Sequence, residues 1–310
     1  MFVILFGICA ILISFLDNYL LTYWQRIGFY QVSPKFFIGN AWPLVLQKTS
    51  LGDFFQNIYI KHKKEKCVGV YLSYKSVLVI NDPKLVQKIL IDDFSYFQNR
   101  PMPLDEINDP LSGHLFSLRD KKWRDLREKL SPAFSTRRIR AMFPIVRRCA
   151  RVLETYLRKN LKNGVNLFEF RELSAQYNTN VISSVAFGID NDCINEPNNI
   201  FRQISARFFE PNFTNTAKET LTFLGGPKLF HQLKLKVVDQ NIENFLFAIF
   251  KQTVDYRETN NFIRNDFMQL LIQLKNKGFI STSNDNDDVK EDELKLNMNE
   301  ITAQVRSVES

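Results

Sequence analysis

The run LFSLRDKKWRDLREKLSPAFSTRRIRAMFPI, residues 115–145, is the most informative part of this 310-residue sequence. Trp123 and Arg127 stand four residues apart in it, so on a helix they share one face and lie one turn from each other. An indole N–H and a guanidinium that project together form a donor pair suited to a buried carboxylate. The alternative is a core tryptophan beside which an arginine packs its apolar stem. The spacing alone leaves both interpretations open.

The segments around this run predict a mainly helical chain with a small β-sheet, an α+β fold. Residues 121–163 are predicted to be helical with a break at Ser131-Pro132, because proline interrupts a helix. Residues 68–80 alternate as two strands, and Asn81-Asp82-Pro83 is a helix start with Asp82 as N-cap. Further helices are predicted at 166–187, 196–209, 229–255 and 263–277, followed by a polar acidic loop at 281–293.

The composition bounds the class of protein. The apolar fraction of 45% excludes a wholly disordered chain, and eleven Gly and eleven Pro exclude a collagen-like one. The four cysteines, Cys9, Cys67, Cys149 and Cys193, include no close pair. A disulfide framework and a structural zinc site are therefore not expected, and the cysteines are interpreted as reduced core residues on the cytosolic side of a membrane.

The first segment predicts a transmembrane anchor over residues 1–23. Met1 to Leu16 is apolar without a break, and aromatic residues extend it to Trp24. A cleaved signal peptide is the alternative, but a basic start and a small-x-small cleavage site are not evident. Positive charges follow the segment, which places the rest of the chain in the cytosol.

The common catalytic motifs are absent from the sequence. It has no Gly-x-Gly-x-x-Gly run, no P-loop and no Gly-x-Ser-x-Gly elbow, which leaves Rossmann, Walker and α/β-hydrolase sites unsupported. The three histidines, His62, His114 and His231, are too scattered for a metal site. No catalytic residue and no metal ligand is predicted within this chain.

The run at 115–145 resembles the helix C region of microsomal cytochromes P-450, particularly the insect type. There, Trp-x-x-x-Arg is followed by Leu-(Ser/Thr)-Pro-x-Phe, matched here by Leu130-Ser131-Pro132-Ala133-Phe134. The resemblance implies that Trp123 and Arg127 hydrogen-bond a haem propionate. Arg100, at the end of Phe97-Gln98-Asn99-Arg100, is a secondary propionate candidate.

Other stretches resemble the same family in the same order along the chain. Val185–Ile189 is similar to the end of its helix E, Asp266–Leu271 to the segment before the acidic loop, and Asn299–Gln304 to the opening of the long central helix. The resemblance implies the N-terminal part of the cytochrome P-450 fold, with an incomplete domain at 24–310 after the anchor. The family's chemistry inserts one O₂ oxygen into small apolar substrates, xenobiotic or lipid-like, at a haem-thiolate centre on the cytosolic face of the endoplasmic reticulum. Its substrate-contacting regions correspond to residues 101–118 and 205–232, in which Leu115, Phe116, Phe208 and Phe209 are candidates for lining the pocket. The alternative is that these four are ordinary core residues.

Residues 121–151 form a strongly basic segment, with eleven Lys and Arg against Asp125 and Glu128. A solvated helix face is one interpretation. Docking of an NADPH-dependent reductase is the interpretation that the family resemblance implies. Nucleic-acid binding is not expected, because no recognised binding motif accompanies the charge.

The sequence departs from the family after Gln304. The family continues with Ala-Gly-x-(Glu/Asp)-Thr and later a glycine-rich loop with the axial cysteine, whereas this chain continues Val305–Ser310. None of the four cysteines has that surround, and the thiolate is what holds and activates the iron. The chain as written is therefore expected to be a truncated and inactive monooxygenase. The alternative is a non-catalytic membrane-anchored fragment that at most binds a redox partner.

Overall fold

A computed structural model describes residues 2–100, 105, 106, 108–165, 167–209, 232, 234, 236, 239–280 and 295–309. Side chains are described within these ranges except at 2, 3, 208, 209 and 305–309. The chain divides into two compact units. The first comprises Met1–Pro103 with Phe213–Lys234, and the second comprises Leu104–Asn212 with Leu235–Ser310.

The first unit contains one two-stranded sheet and several short helices. Its elements in chain order are α1 (Phe2–Leu20), α2 (Tyr23–Arg26), α3 (Trp42–Val45), α4 (Leu51–His62), β1 (Cys67–Leu72), β2 (Lys75–Ile80), α5 (Pro83–Gln87), a π-helical turn (Lys88–Asp92) and α6 (Phe94–Phe97). The helix α4 has a Ser50 N-cap and two buried apolar residues, Phe54 and Ile58. It was not anticipated in the sequence.

The predicted hairpin is confirmed. Strands β1 and β2 pair antiparallel from Cys67 opposite Ile80 to Leu72 opposite Lys75. The predicted start of α5 is also confirmed, since the Asp82 carboxylate accepts a hydrogen bond from the Lys84 N–H at 2.9 Å. The inward face of the hairpin packs on α4 in a small core of Ala41, Phe54, Ile58, Val68, Val70 and Leu72.

Helix α1 is apolar but contains one buried carboxylate. Asp17 is 5% exposed and accepts hydrogen bonds from the Phe37 N–H and the Tyr74 hydroxyl, both at 2.9 Å. These bonds attach the end of α1 to the sheet of the first unit. Across the described part of the chain, no helix combines the length and the apolarity that crossing a membrane requires.

The second unit is helical. Its elements are a 3₁₀ turn (Pro110–Ser112), α7 (Asp120–Leu130), a second 3₁₀ turn (Ser131–Phe134), α8 (Thr136–Lys162), α9 (Phe170–Val185), α10 (Ile200–Phe209), α11 (Gln240–Thr259), α12 (Phe267–Lys277) and α13 (Met298–Glu309). The predicted break between α7 and α8 is confirmed at Ser131-Pro132. The buried core of this unit includes Leu126, Leu130, Phe187, Leu246, Phe250, Met268, Leu271 and Ile301.

Helix α11 differs from the predicted 229–255 span. It begins at Gln240, because Asp239 is extended and its carboxylate caps the Asn241 N–H at 2.8 Å. It continues to Thr259, beyond the predicted end. Most of 229–238, and all of the predicted acidic loop at 281–293, lies outside the described residues.

A buried ion pair joins the last turn of α11 to the residue before α12. The Arg257 guanidinium donates to both carboxylate oxygens of Asp266, at 2.8 and 2.6 Å. Both side chains are almost fully buried, and the same carboxylate caps the Gln269 N–H at the start of α12. The buried Asp266 carboxylate is therefore hydrogen-bonded both to the Arg257 guanidinium and to a backbone N–H, as a buried charge requires.

Candidate functional site

Helix α7 presents the two residues that the sequence singled out. Its buried side is formed by Leu126 and Leu130, and Trp123, half-buried, packs against the same core. The helix ends where Pro132 turns the chain into the 3₁₀ segment, and the Ser131 hydroxyl donates to the Arg127 carbonyl at 2.6 Å. The predicted helical face that joins Trp123 to Arg127 is therefore present.

Trp123 and Arg127 differ in their exposure. The indole is anchored in the core, whereas the Arg127 side chain, one turn further, is exposed. Among the described residues, no acidic side chain lies within ion-pair distance of the Arg127 guanidinium. An exposed guanidinium beside a fixed indole can accept a carboxylate ligand without first losing a partner.

Two lysines of α7 form ion pairs with acidic side chains. Lys121 contacts Asp125 at 2.6 Å, and Lys122 reaches Glu106 at 2.7 Å. Further along, Arg148 of α8 contacts Asp190 at 2.7 Å. These pairs are solvent-exposed and contribute little to stability. Because residues 121–151 carry eleven basic residues against two acidic ones, the segment remains strongly positive.

The chain from Asp105 to Leu118, which we call the lead-in loop, precedes α7 and is held by its own hydrogen bonds. The Asp105 N–H donates to the Ser112 hydroxyl at 3.2 Å, and the Asp109 N–H donates to the Asp105 carbonyl at 2.8 Å. The Ser117 hydroxyl donates to the Ser112 carbonyl. Asp105, Asp109, Leu111, Ser112 and Ser117 are all buried. The lead-in loop is thus a compact body although it has little regular structure.

The predicted substrate-contacting residues lie partly in this loop. Leu115 is half-buried and packs against the core of the second unit, in the same cluster as Trp123. Phe116 is 50% exposed. Phe208 and Phe209 end the backbone of α10, and their side chains lie outside the described residues.

Helix α13 borders the lead-in loop and α7 around a groove of about 240 Å³. The groove is lined by Glu106, Pro110, Gly113, Leu118, Lys122, Asp125, Leu126, Lys129, Leu296, Asn297, Asn299, Glu300 and Gln304. A capping box begins α13: the Glu300 N–H donates to the Asn297 side chain at 2.9 Å, and the Asn297 N–H donates to the Glu300 carboxylate at 2.8 Å. The predicted helix opening at Asn299–Gln304 is confirmed.

Gln304 is a site residue that the sequence analysis did not identify. Its carboxamide is 1% exposed and contacts the lead-in loop at two backbone positions. The sequence carries no clear signal for this role, because Gln304 follows other polar residues, Asn299, Glu300 and Thr302, in the same helix. The partner could not be inferred, because it lies 189 residues earlier in the chain.

Arg100 follows α6 in the first unit, where its side chain is exposed. Trp123 and Arg127 belong to the second unit. Leu115, Phe116, Trp123 and Arg127 are therefore the predicted site residues that one described unit brings together.

Three of the four cysteines lie in surroundings that disfavour a thiolate ligand. Burial raises the pKa of the Cys149 thiol, which contacts the Asn180 carbonyl, and raises the pKa of Cys193 to about 11. Burial and the Asp82 charge raise the pKa of Cys67, while Cys9 lies exposed on α1. A metal ligand needs the deprotonated sulfur, which the surroundings of the three buried or half-buried thiols disfavour. The residues present thus fit the carboxylate end of a haem but not its iron.

The chain is similar to cytochromes P450 over most of its length. The family model described as cytochrome P450 matches residues 33–308. The chain is 37% identical over 267 residues to cytochrome P450 6k1 of Blattella germanica, covering 86% of this chain and 49% of the relative. It is 35% identical to cytochrome P450 6d3 of Musca domestica, covering 86% and 51%. It is 32% identical to cytochrome P450 6a2 of Drosophila melanogaster, covering 98% and 60%. The chain spans about half the length of the curated relatives it matches.

Proposed function

Because the chain belongs to the cytochrome P450 family, we propose that it supplies the propionate-binding helix and the substrate loop of a haem-thiolate monooxygenase. The enzyme as a whole inserts one oxygen atom of O₂ into small apolar substrates. The observation that carries the proposal is the donor face of α7, with Trp123 anchored in the core and Arg127 exposed beside it.

The residues of this chain act by binding and orientation. Trp123 and Arg127 hold a propionate carboxylate, the indole N–H as a single donor and the guanidinium as a charged fork. Arg100 is a further propionate donor in this proposal. Bound haem would supply the activation of O₂ at its iron. Leu115 and Phe116 contribute apolar surface for the substrate, and Phe208 and Phe209 are assigned to the same wall.

We place the protein at the endoplasmic reticulum membrane with residues beyond 23 in the cytosol. Support comes from α1, where Ile4, Phe6, Ile11 and Phe15 are each at least 69% exposed. Apolar surface of this extent is unfavourable in water and is covered when it enters a bilayer. The basic segment 121–151 is proposed to dock an NADPH-dependent reductase by complementary charge.

A second candidate function is a membrane-anchored chain without catalysis that binds a redox partner. The observation in its favour concerns residues 1–310, where burial raises the pKa of Cys67, Cys149 and Cys193 and so disfavours an axial thiolate from these three. The two candidates differ in the ferrous–CO spectrum. A thiolate-type band from this 310-residue chain favours the complete enzyme function, and its absence favours the second candidate.

The propionate assignment is tested by titrating hemin into the chain and following its visible absorption. Arg127→Ala is expected to weaken hemin binding about tenfold or more, as for the loss of a charge-assisted hydrogen bond. Trp123→Phe keeps an aromatic ring in the core but loses the N–H together with the five-membered ring of the indole. Because the lost donor is neutral, binding is expected to weaken by a smaller factor.

Arg140→Ala is the matched control, because Arg140 is an exposed arginine of the same basic segment on α8. It is expected to leave hemin affinity unchanged. Equal losses for Arg127→Ala and Arg140→Ala would show a nonspecific charge effect and would contradict the assignment.

A further inference from the structure

The side chain of Gln304 connects α13 to the lead-in loop through both ends of its carboxamide. Its oxygen accepts a hydrogen bond from the Leu115 N–H at 2.9 Å. Its nitrogen donates to the Gly113 carbonyl at 3.2 Å and to the Glu300 carbonyl of its own helix at 2.9 Å. The side chain is almost fully buried, so water does not compete for these bonds.

The bonding pattern requires a carboxamide at this position. The Gly113 carbonyl needs a donor, and the Leu115 N–H, two residues later, needs an acceptor. The Gln304 carboxamide supplies both, its nitrogen to Gly113 and its oxygen to Leu115. Glutamate has the same shape but would place a carboxylate against the Gly113 and Glu300 carbonyls. Methionine keeps the bulk and makes neither bond.

Backbone hydrogen bonds link the part of the lead-in loop that Gln304 contacts to the start of α7. The backbone N–H of Leu115 is bonded to Gln304, and Phe116 follows Leu115 in the chain. The backbone N–H of Leu118 donates to the His114 carbonyl at 3.0 Å. The backbone N–H of Trp123 donates to the Arg119 carbonyl at 3.1 Å in the first turn of α7. A displacement at Leu115 therefore changes where Phe116 lies and where α7 starts.

We propose that Gln304 is a positioning residue that holds the lead-in loop on α13, and so places Leu115, Phe116 and the first turn of α7 relative to the bound ligand. The consequence for the ligand rests on the proposed function. The clamp itself, defined as the Gln304 bonds to Gly113 and Leu115, does not depend on that function.

The clamp is tested by amide hydrogen exchange of the whole 310-residue chain, comparing Gln304→Met and Gln304→Glu with the unsubstituted protein. Gln304→Met is expected to speed exchange of the Leu115 amide by about tenfold or more, since it removes the acceptor of that amide. Gln304→Glu keeps an acceptor for the Leu115 N–H but loses the bond to the Gly113 carbonyl, so a smaller increase is expected. Thr302→Val is the matched control, because Thr302 is equally buried on α13 but its hydroxyl bonds only the Met298 carbonyl of the same helix.

The outcome that overturns the proposal is a Gln304→Met variant whose Leu115 exchange matches the unsubstituted chain, because bulk alone would then be sufficient. A change of the same size in Thr302→Val would also overturn it, since the loop would respond to any perturbation of α13. If Gln304→Glu loses protection throughout the second unit, Gln304→Met decides the question alone.

A hemin titration of the same variants measures the consequence for the ligand. Gln304→Met is expected to weaken hemin binding severalfold, and Thr302→Val to leave it unchanged. Hemin affinity that is identical in Gln304→Met and the unsubstituted chain would overturn the role toward the ligand. If the unsubstituted chain binds no hemin, the proposed function fails, whereas the exchange experiment still decides whether the clamp exists.

Discussion

Single residues explain why some family-like motifs have the composition they do. Gly188, in the Val185–Ile189 run, has φ +71, and a Cβ at this position would overlap the Arg257 guanidinium and lie 3.2 Å from Asp266 Oδ2. Glycine is required here both by the left-handed backbone and by the buried ion pair that presses against it. The glycine of this motif is therefore explained by a buried ion pair between Arg257 and Asp266, which lie far from it in the sequence.

Gly188→Ala is expected to lower the free energy of unfolding by about 3–5 kcal/mol, because it separates a buried ion pair in addition to straining the backbone. Chemical denaturation measures the change. Gly164→Ala is the matched control, since Gly164 has φ +83 and a Cβ there would have no neighbour within 4 Å. The control is expected to cost about 1 kcal/mol. Equal costs in the two variants would contradict the role assigned to Arg257.

Residue types were predictable where their effect is local. Trp123 and Arg127 share a helical face because four residues make about one turn, and that face is present. The Asp82 cap was predictable for the same reason. The Gln304 clamp and the Asp17 bonds were not predictable, because their partners are distant in sequence.

Elements show the same division between local and distant causes. The break between α7 and α8 follows from Pro132, and the hairpin follows from its alternating pattern. The start of α11 at Gln240 depends on the Asp239 cap, which the apolar periodicity of 229–255 does not reveal. Helix α4 was missed although Ser50 accepts from the Asp53 N–H at 3.1 Å in a regular N-cap.

Within the first unit, Asp17 joins the end of α1 to Phe37 and Tyr74. Burial, with the hydrogen bond to Asp17 and its negative charge, raises the pKa of Tyr74 to about 12. Because the folded pKa lies above the ordinary value of 10, the protonated phenol stabilises the docked form. That contribution is complete below about pH 10 and is lost as the pH rises toward 12.

Asp17→Ala is expected to lower the pKa of Tyr74 toward 10, read as the difference in tyrosinate absorbance between each protein and its Tyr74→Phe counterpart. It is also expected to speed amide exchange at Phe37, whose N–H loses its acceptor. Asn18→Ala changes the neighbouring exposed side chain and serves as control. An unchanged Phe37 amide in Asp17→Ala would show that α1 is held by other contacts.

At the scale of the whole molecule, the family was predictable because several moderate motifs occur in the same order as in cytochromes P450. The mainly helical second unit and the small sheet of the first agree with that prediction. The candidate site was predictable only in part. Trp123 and Arg127 came from the motif, whereas the lead-in loop takes its shape from buried polar residues such as Asp105 and Ser112, which bond each other within the loop.

The proposed recognition of haem carboxylates by α7 is tested by comparing two ligands on the unsubstituted chain. Hemin carries free propionates, and hemin dimethyl ester differs only in having them blocked. Hemin is expected to bind about tenfold or more tightly, because the ester removes the charged acceptor of Arg127 and Trp123. In Arg127→Ala the preference should largely disappear. Equal affinity of the unsubstituted chain for the two ligands would contradict the account.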